Sequence, residues 1–356
     1  MKIAVAAELA PAKSIIPVIK RLDAEILGLA HGIGADELLM PYCNKIKFIG
    51  QGRGAGSKKR SNSQLAYLVM IDIFKTINAL RGEKIDLLLT CGNAGDVRKG
   101  LAAANILRIP TLHIEQDIYN PIELIAFADI ITAPSENYKK YLQDKYGLTN
   151  IRNIGGYPLA NFLTPVDIMD KEKVHQLYGV DEFILLALGG DLKIEDLPNL
   201  INAVESLEKS VLIAPFRFDR NHIKKMVNSS NIKVLEGFVD LPSIMNASSA
   251  MIYGAGMGMT IEAAVLNVPC LKIAGFHRKH ASVDLATELG IKIVEIKEIP
   301  QKINDLSHPQ AKNLLKNSKN ATDSLIKIIE TFKHQSHSKG GYKSLKRIWD
   351  ARSKFR

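Results

Sequence analysis

One rhythm dominates the chain: a short apolar run, a turn of small residues, then a stretch of helical periodicity. KIAVAA, DAEILGLA, KIKFIG, IDLLLTCG, IPTLHIE and DIITAP have the length and bounding residues of strands buried on both faces. Between them lie IIPVIKRL, SQLAYLVMIDIFKTINALRG and VRKGLAAANILR, whose apolar residues recur at helical spacing. A second series, FILLALGG, SVLIAPF, KVLEGF, SAMIYG, VPCLKIAG and IKIVEI, follows Gly155, again with helices between. Strands alternating with helices form βαβ units and parallel sheets, so the expected fold class is α/β with two doubly wound, Rossmann-like domains.

Length agrees, because 356 residues exceed what one core usually holds. The punctuation Gly155, Gly156 and Pro158 within IRNIGGYPLANFL sets the expected boundaries: a first domain over 1–155, a second over 156–333, and a basic tail over 334–356. Cys43, Cys91 and Cys270 form no CxxC pair and have no histidine at ligand spacing, which argues against a disulfide framework and a zinc site. The opening MKIAVAAELAPAK reads as a buried first strand and not a signal peptide, and a cytoplasmic location is expected. No apolar run reaches the length of a membrane span. The net charge of +10 suits nucleic acid, anionic lipid or phosphorylated substrates, and composition does not choose among them.

Open α/β sheets bind ligands beyond the carboxyl ends of their strands, so the loops after the strands are where chemistry is sought, and a cleft between the domains would collect both sets. The stretch GAGMGMTIEAA, residues 254–264, is such a loop. Glycines let backbone N–H groups approach a phosphate, the following helix start adds its partial positive charge, and Glu262 could accept ribose hydroxyls. Read blandly, the glycines permit tight strand-to-helix packing and Glu262 is a solvated acid complementing the dipole.

GAGMGMTIEAAVLNVPCLKI, followed by AGFHRKHASVDLATELGIKIVE, resembles the nucleotide-sugar signature of GT-B glycosyltransferases. It looks most like the family that adds N-acetylglucosamine to lipid-linked peptidoglycan precursors, the MurG type. Gly254, Gly256, Thr260, Glu262 and Pro269 match that pattern, with Asn267 in place of the usual glycine before the proline. FILLALGGDLKIEDL resembles the turn that opens the family's second domain, and IPTLHIEQDIYNPIELIAFAD its HEQN segment. The resemblance covers roughly residues 85 to 300 and implies a GT-B fold, two Rossmann-like domains facing a central cleft. It also implies a UDP-sugar donor site of Gly189, Gly190, Arg217, Gly254, Gly256, Met257, Gly258, Thr260, Glu262 and His280. The sugar implied is N-acetylglucosamine, carried to a lipid- or nucleotide-linked envelope precursor. No metal or other cofactor is implied, since the diphosphate can be neutralised by backbone dipoles and the chain has no Asp-x-Asp motif.

The same segments are similar to non-hydrolysing UDP-N-acetylglucosamine 2-epimerases, whose acids would fall at Asp96, Glu115 and Glu123. The histidine-arginine turn of those epimerases is replaced here by ALGGDLK. The transferases' glycine-rich first loop with its histidine is likewise replaced by AAELAPAKS. A transferase would therefore use Glu8 or Glu115 as the base that deprotonates the acceptor, with His113 beside Glu115 as a positioning group or a structural hydrogen-bonder. A third reading is a nucleotide-sugar-binding protein without turnover.

The basic segment GQGRGAGSKKRSN, with Arg53, Lys58, Lys59 and Arg60, reads as a loop near the acceptor or as an inert solvated loop. The tail YKSLKRIWDARSKFR is a basic amphipathic segment, either lying on anionic lipid beside a lipid-linked acceptor or strapping Ile348 and Trp349 onto the first domain. Nucleic acid is not expected as a partner. The oligomeric state is not legible.

Overall fold

The computed structural model describes residues 1–32, 34–50, 62–163, 168–216, 218–237, 239–275, 279–332 and 339–353. The chain forms two compact units, Met1–Phe162 with Leu314–Arg356, and Leu163–Asn313.

In the first unit seven parallel strands run β1 (Lys2–Ala7), β2 (Glu25–His31), β3 (Lys45–Gly50), β4 (Leu87–Cys91), β5 (Thr111–Ile114), β6 (Ile130–Ala133) and β7 (Ile151–Asn153). Their order across the sheet is β3-β2-β1-β4-β5-β6-β7. Alternation along β1 divides two cores. Ile3, Val5 and Ala7 pack with Ile15, Ile16 and Val18 of the helix Leu9–Ile19, while Ala4 and Ala6 pack with Ala103 and Ala104 of Gly95–Leu107 and Ile77 and Leu80 of Asn62–Leu80. Helices on both faces leave the central strands no polar side, which is why LLLTC in β4 is buried throughout.

The second unit repeats the plan with β8 (Ile184–Ala187), β9 (Val211–Ala214), β10 (Ile232–Val234), β11 (Ala250–Tyr253), β12 (Cys270–Ile273) and β13 (Lys292–Val294), ordered β10-β9-β8-β11-β12-β13. In each sheet the chain starts at a central strand, winds outward, then crosses back. The switch points are therefore the loops after β1 and β4, and after β8 and β11.

The expected α/β class and the parallel sheets are present, and each quoted apolar run contains all or most of a strand. Strand β7 is the addition. Only Ile151 of its IRN is buried, and a three-residue edge strand leaves no apolar run to read.

The second unit ends before residue 333. The helix Lys312–Glu330 places Ala321, Leu325, Ile326 and Ile329 in the core beneath β1 and β4, and Asn161 donates to Ser318 O and Thr322 Oγ1. The tail helix Gly341–Ser353 also belongs to the first unit: Ile348 is fully buried beside Val97, Ile122 and Tyr146. Ser344 Oγ donates to Gly147 O, and Arg352 Nη1 donates to Asn120 O at 2.8 Å and Pro121 O at 2.7 Å. Trp349, expected to be buried with Ile348, is instead 47% exposed. Among the described residues no helix is long and apolar enough to cross a membrane.

Candidate active site

At the first switch point β1 ends at Ala7 and β4 at Cys91, so Glu8 and the loop Gly92–Ala94 lie side by side. Asp96, in the first turn of the helix Gly95–Leu107, accepts the Glu8 N–H through Oδ2 at 3.0 Å. Its Oδ1 is buried and, among the described residues, without a hydrogen-bond partner. Burial, then the charge of Glu8, holds Asp96 well above the ordinary aspartate pKa, favouring the neutral acid.

The Glu8 side chain keeps 29% of its surface exposed, and its Oε1 lies 2.9 Å from His31 Nδ1 at the end of β2. His31 Nε2 meets Lys99 Nζ, one turn into the Asp96 helix, and Lys99 Nζ donates to Asp72 Oδ2 at 2.6 Å. A Cβ built on Gly95 would sit 3.7 Å from Glu8 Oε1 and 3.6 Å from His31 Cε1, so the start of that helix lies against the pair. Four elements thus bring Glu8, His31, Lys99 and Asp72 into one polar chain. Sequence reasoning named only Glu8. His31 ends an apolar run, a weak signal, and Lys99 and Asp72 stand 27 residues apart with no pattern to join them.

The other expected acids are placed differently. Glu115 follows β5 and is buried, with Oε1 accepting the N–H groups of Gln116 and Asp117, both at 2.9 Å, and Oε2 3.3 Å from His113 Nε2. His113 is buried as well, and its Nδ1 meets Thr90 Oγ1 at 2.9 Å. Oε1 of Glu115 is therefore spent on the turn after β5, and Oε2 faces the His113 ring within the strand. Glu123 is buried in a bidentate pair with Arg98, Nε to Oε1 at 2.5 Å and Nη2 to Oε2 at 3.0 Å, with Arg352 Nε 3.9 Å away. Burial opposes ionisation of Glu123, but Arg98 outweighs it and holds the carboxyl below the usual glutamate value.

In the second unit the turns after β8 and β11 pack on each other. A Cβ on Gly189 would fall 2.3 Å from Ala255 Cβ, and one on Gly254 would fall 2.3 Å from Leu192 Cγ. These two glycines serve close packing. Among the described residues nothing lies within 4 Å of a Cβ built on Gly190, and one built on Gly256 would sit 3.4 Å from His280 Cε1. His280 Nδ1 accepts the Ser282 N–H at 3.0 Å, capping the helix Ala281–Glu288. Gly256 precedes the helix Met257–Val265, which carries Met257, Gly258, Thr260 and Glu262, and among the described residues no side chain caps its N-terminus. Thr260 Oγ1 accepts from Tyr253 Oη at 3.1 Å and donates to Gly256 O at 3.2 Å. Glu262 is 3% exposed, so it is not a solvated acid at the helix start.

Beneath this turn lies Lys272, buried in β12, donating to Ala255 O at 2.5 Å and Asp191 Oδ2 at 3.1 Å. Burial pulls its pKa down while Asp191 opposes the shift. Asn267 has φ +54, the left-handed conformation that asparagine tolerates best after glycine. The Asn267 and Val268 N–H groups bond to Ala264 O and Ala263 O, closing a Schellman turn. The departure from the family's glycine thus preserves the helix stop. Arg217 and the loop with Arg53, Lys58, Lys59 and Arg60 lie outside the described residues. Among the described residues no cluster of three or more His, Cys, Asp or Glu side chains is arranged to hold a metal.

No model of a known protein family matches the sequence, and no curated protein matches it. Solved structures do. The Staphylococcus aureus MnaA–UDP co-structure aligns at TM-score 0.69 and 17% identity, covering 92% of this chain and 96% of its own. Methanocaldococcus jannaschii UDP-GlcNAc 2-epimerase, in complex with UDP-GlcNAc and UDP, aligns at 0.68 and 15%, covering 93% and 100%. Acinetobacter baumannii MurG aligns at 0.51 and 18%, covering 93% and 99%. At these identities the likeness is one of fold: the chain has the GT-B architecture common to such transferases and epimerases, and its backbone lies nearer these epimerases than the MurG type that the sequence motifs resemble.

Proposed function

We propose that the chain is an enzyme acting on a UDP-linked N-acetylhexosamine, and that it transfers the sugar to an acceptor hydroxyl with Glu8 as the base. One observation carries the choice of reaction. Of Glu8, Asp96, Glu115 and Glu123, only Glu8 is not buried. Direct displacement needs one accessible proton acceptor. The acceptor O–H gives its proton to Glu8 as its oxygen attacks the anomeric carbon, and the bond to UDP breaks with its electron pair leaving on the diphosphate. The turn Gly254–Gly256 and the open start of Met257–Val265 would receive the diphosphate charge on backbone N–H groups, with Glu262 for the ribose. The acceptor class remains the one implied by the motifs, a lipid- or nucleotide-linked envelope precursor, and association with the membrane surface belongs to the same proposal.

A second reading, 2-epimerisation, is favoured by the higher TM-scores to UDP-GlcNAc 2-epimerases. It requires proton removal from C2 and redelivery to the opposite face, for which Asp96, Glu115 and Glu123 would be the team. With Glu115 and Glu123 fully engaged, only Asp96 remains to partner Glu8. Incubation with UDP-GlcNAc in deuterated water separates the readings. Transfer gives UDP release that requires an acceptor, falls by roughly 10²-fold or more in Glu8→Gln, and leaves C2 undeuterated. Deuterium at C2 without an acceptor establishes the epimerase. UDP-GlcNAc binding with neither outcome refutes both.

A further inference from the structure

The chain of contacts behind Glu8 has a direction, fixed by which atoms can donate. Lys99 is an ammonium group against the Asp72 carboxylate, with Nζ 2.6 Å from Oδ2. Lys75 Nζ approaches the other side of Asp72, 3.7 Å from Oδ1. Space for that carboxylate comes from Gly50, where a Cβ would fall 2.6 Å from Asp72 Oδ2. An ammonium group has three donors and no acceptor, so in its contact with His31 Nε2 the ring nitrogen accepts. A neutral imidazole carries its one proton on the other nitrogen, so Nδ1–H donates to Glu8 Oε1 across 2.9 Å.

We infer that Asp72, Lys99 and His31 are positioning residues for Glu8: the Asp72–Lys99 pair selects the Nδ1–H tautomer of His31, and that tautomer holds the Glu8 carboxylate by Oε1. This inference rests on the proposed role of Glu8. The consequence for proton transfer is specific. With Oε1 held, Oε2 is the oxygen that takes the acceptor's proton, and the carboxylate does not rotate between attacks. Of these four side chains, only Glu8 touches substrate. Asp96 holds the Glu8 backbone through its N–H, and the missing side chain at Gly95 lets the helix start lie against the His31 ring. A histidine with the opposite tautomer would turn a bare ring nitrogen toward a carboxylate, two acceptors face to face.

Two measurements on the full chain test it. The first reads the tautomer without turnover: nitrogen-15 histidine spectra, with the His31 signals assigned by their loss in His31→Asn. The expected result is a proton on Nδ1 in the wild type and a shift of the proton toward Nε2 in Lys99→Met. A wild-type proton on Nε2, or a tautomer indifferent to Lys99→Met, overturns the inference even if no acceptor substrate has been found.

The second measurement uses the geometry of amides. An asparagine amide nitrogen falls near the position of Nδ1 and a glutamine amide nitrogen near that of Nε2, so His31→Asn keeps the donor to Glu8 and His31→Gln does not. With UDP-GlcNAc and an acceptor, His31→Gln lowers kcat by roughly 10²-fold at unchanged KM for the donor, and His31→Asn restores most of it. Equal kcat in the two variants at equal folded fraction overturns the inference. If the wild type turns over no acceptor, the transfer reading fails by itself, and the tautomer measurement still decides whether the relay exists.

Discussion

Replacing Arg98 by methionine isolates the question of whether Glu123 is a working acid or part of the frame. Glu123 is buried and bound at both oxygens by Arg98, and a further cation, Arg352 Nε, is 3.9 Å from Oε2. Removing one member of such a pair strands the other charge, at a cost of about 3–5 kcal/mol. Unfolding entropy on the order of 2.1 cal/mol/K per residue gives about 0.4 kcal/mol/K for a unit of roughly 200 residues, so the melting temperature of the first unit falls by about 7–12 °C at pH 7. The pH dependence has a definite sign. In the wild type the folded pKa of Glu123 is depressed, so the pair's stabilisation is present above the unfolded value of about 4.3 and lost as pH falls through the folded one. In Arg98→Met burial, the largest cause, is opposed only by a backbone hydrogen bond and the charge of Arg352, so the pKa rises, and the deficit is greatest at neutral pH and shrinks as Glu123 protonates on acidification. Calorimetric melts of wild type and Arg98→Met from pH 4 to 8 measure this directly. A loss below about 1 kcal/mol, or one of equal size at pH 4 and pH 7, would refute the reasoning and return Glu123 to the list of free acids.

Asp96→Asn has the opposite sign. The folded pKa of Asp96 is raised, so its stability contribution is greatest below the unfolded value of about 3.9 and declines as pH climbs toward the folded value. Asp96→Asn therefore gains on the wild type in thermal melts as pH rises from 4 to 7, and a gap that does not widen over that range counts against a neutral Asp96. Ile348→Ala, at a fully buried position of the tail helix, costs about 2–5 kcal/mol in denaturant titrations, whereas Trp349→Ala costs under about 1 kcal/mol. Equal losses would mean that the strap is not held as described.

What the sequence revealed, and what it hid, follows the range of the interactions involved. The parallel sheets were legible because a strand covered on both faces has to be an uninterrupted apolar run, and each such run contains all or most of a strand. The switch-point loops were legible as well, since glycine and acid patterns there are local in sequence. Misplacement began where a side chain's partner is distant in the chain. Glu115 and Glu123 look equivalent to Glu8 along the sequence. One is consumed by the two N–H groups that follow it, the other by Arg98, 25 residues earlier. Neither commitment leaves a mark in spacing. Even glycine, the most readable residue in such loops, divides only in three dimensions: Gly189 and Gly254 make room for their own neighbours, while among the described residues a Cβ on Gly190 would meet nothing within 4 Å and one on Gly256 a histidine ring. A glycine signature thus marks the loop and not the ligand-facing atoms within it. Of the four acids that the sequence offers, Glu8, Asp96, Glu115 and Glu123, Glu8 alone keeps part of its side chain in water, and its partner His31 comes from a different strand, a pairing that spacing does not encode.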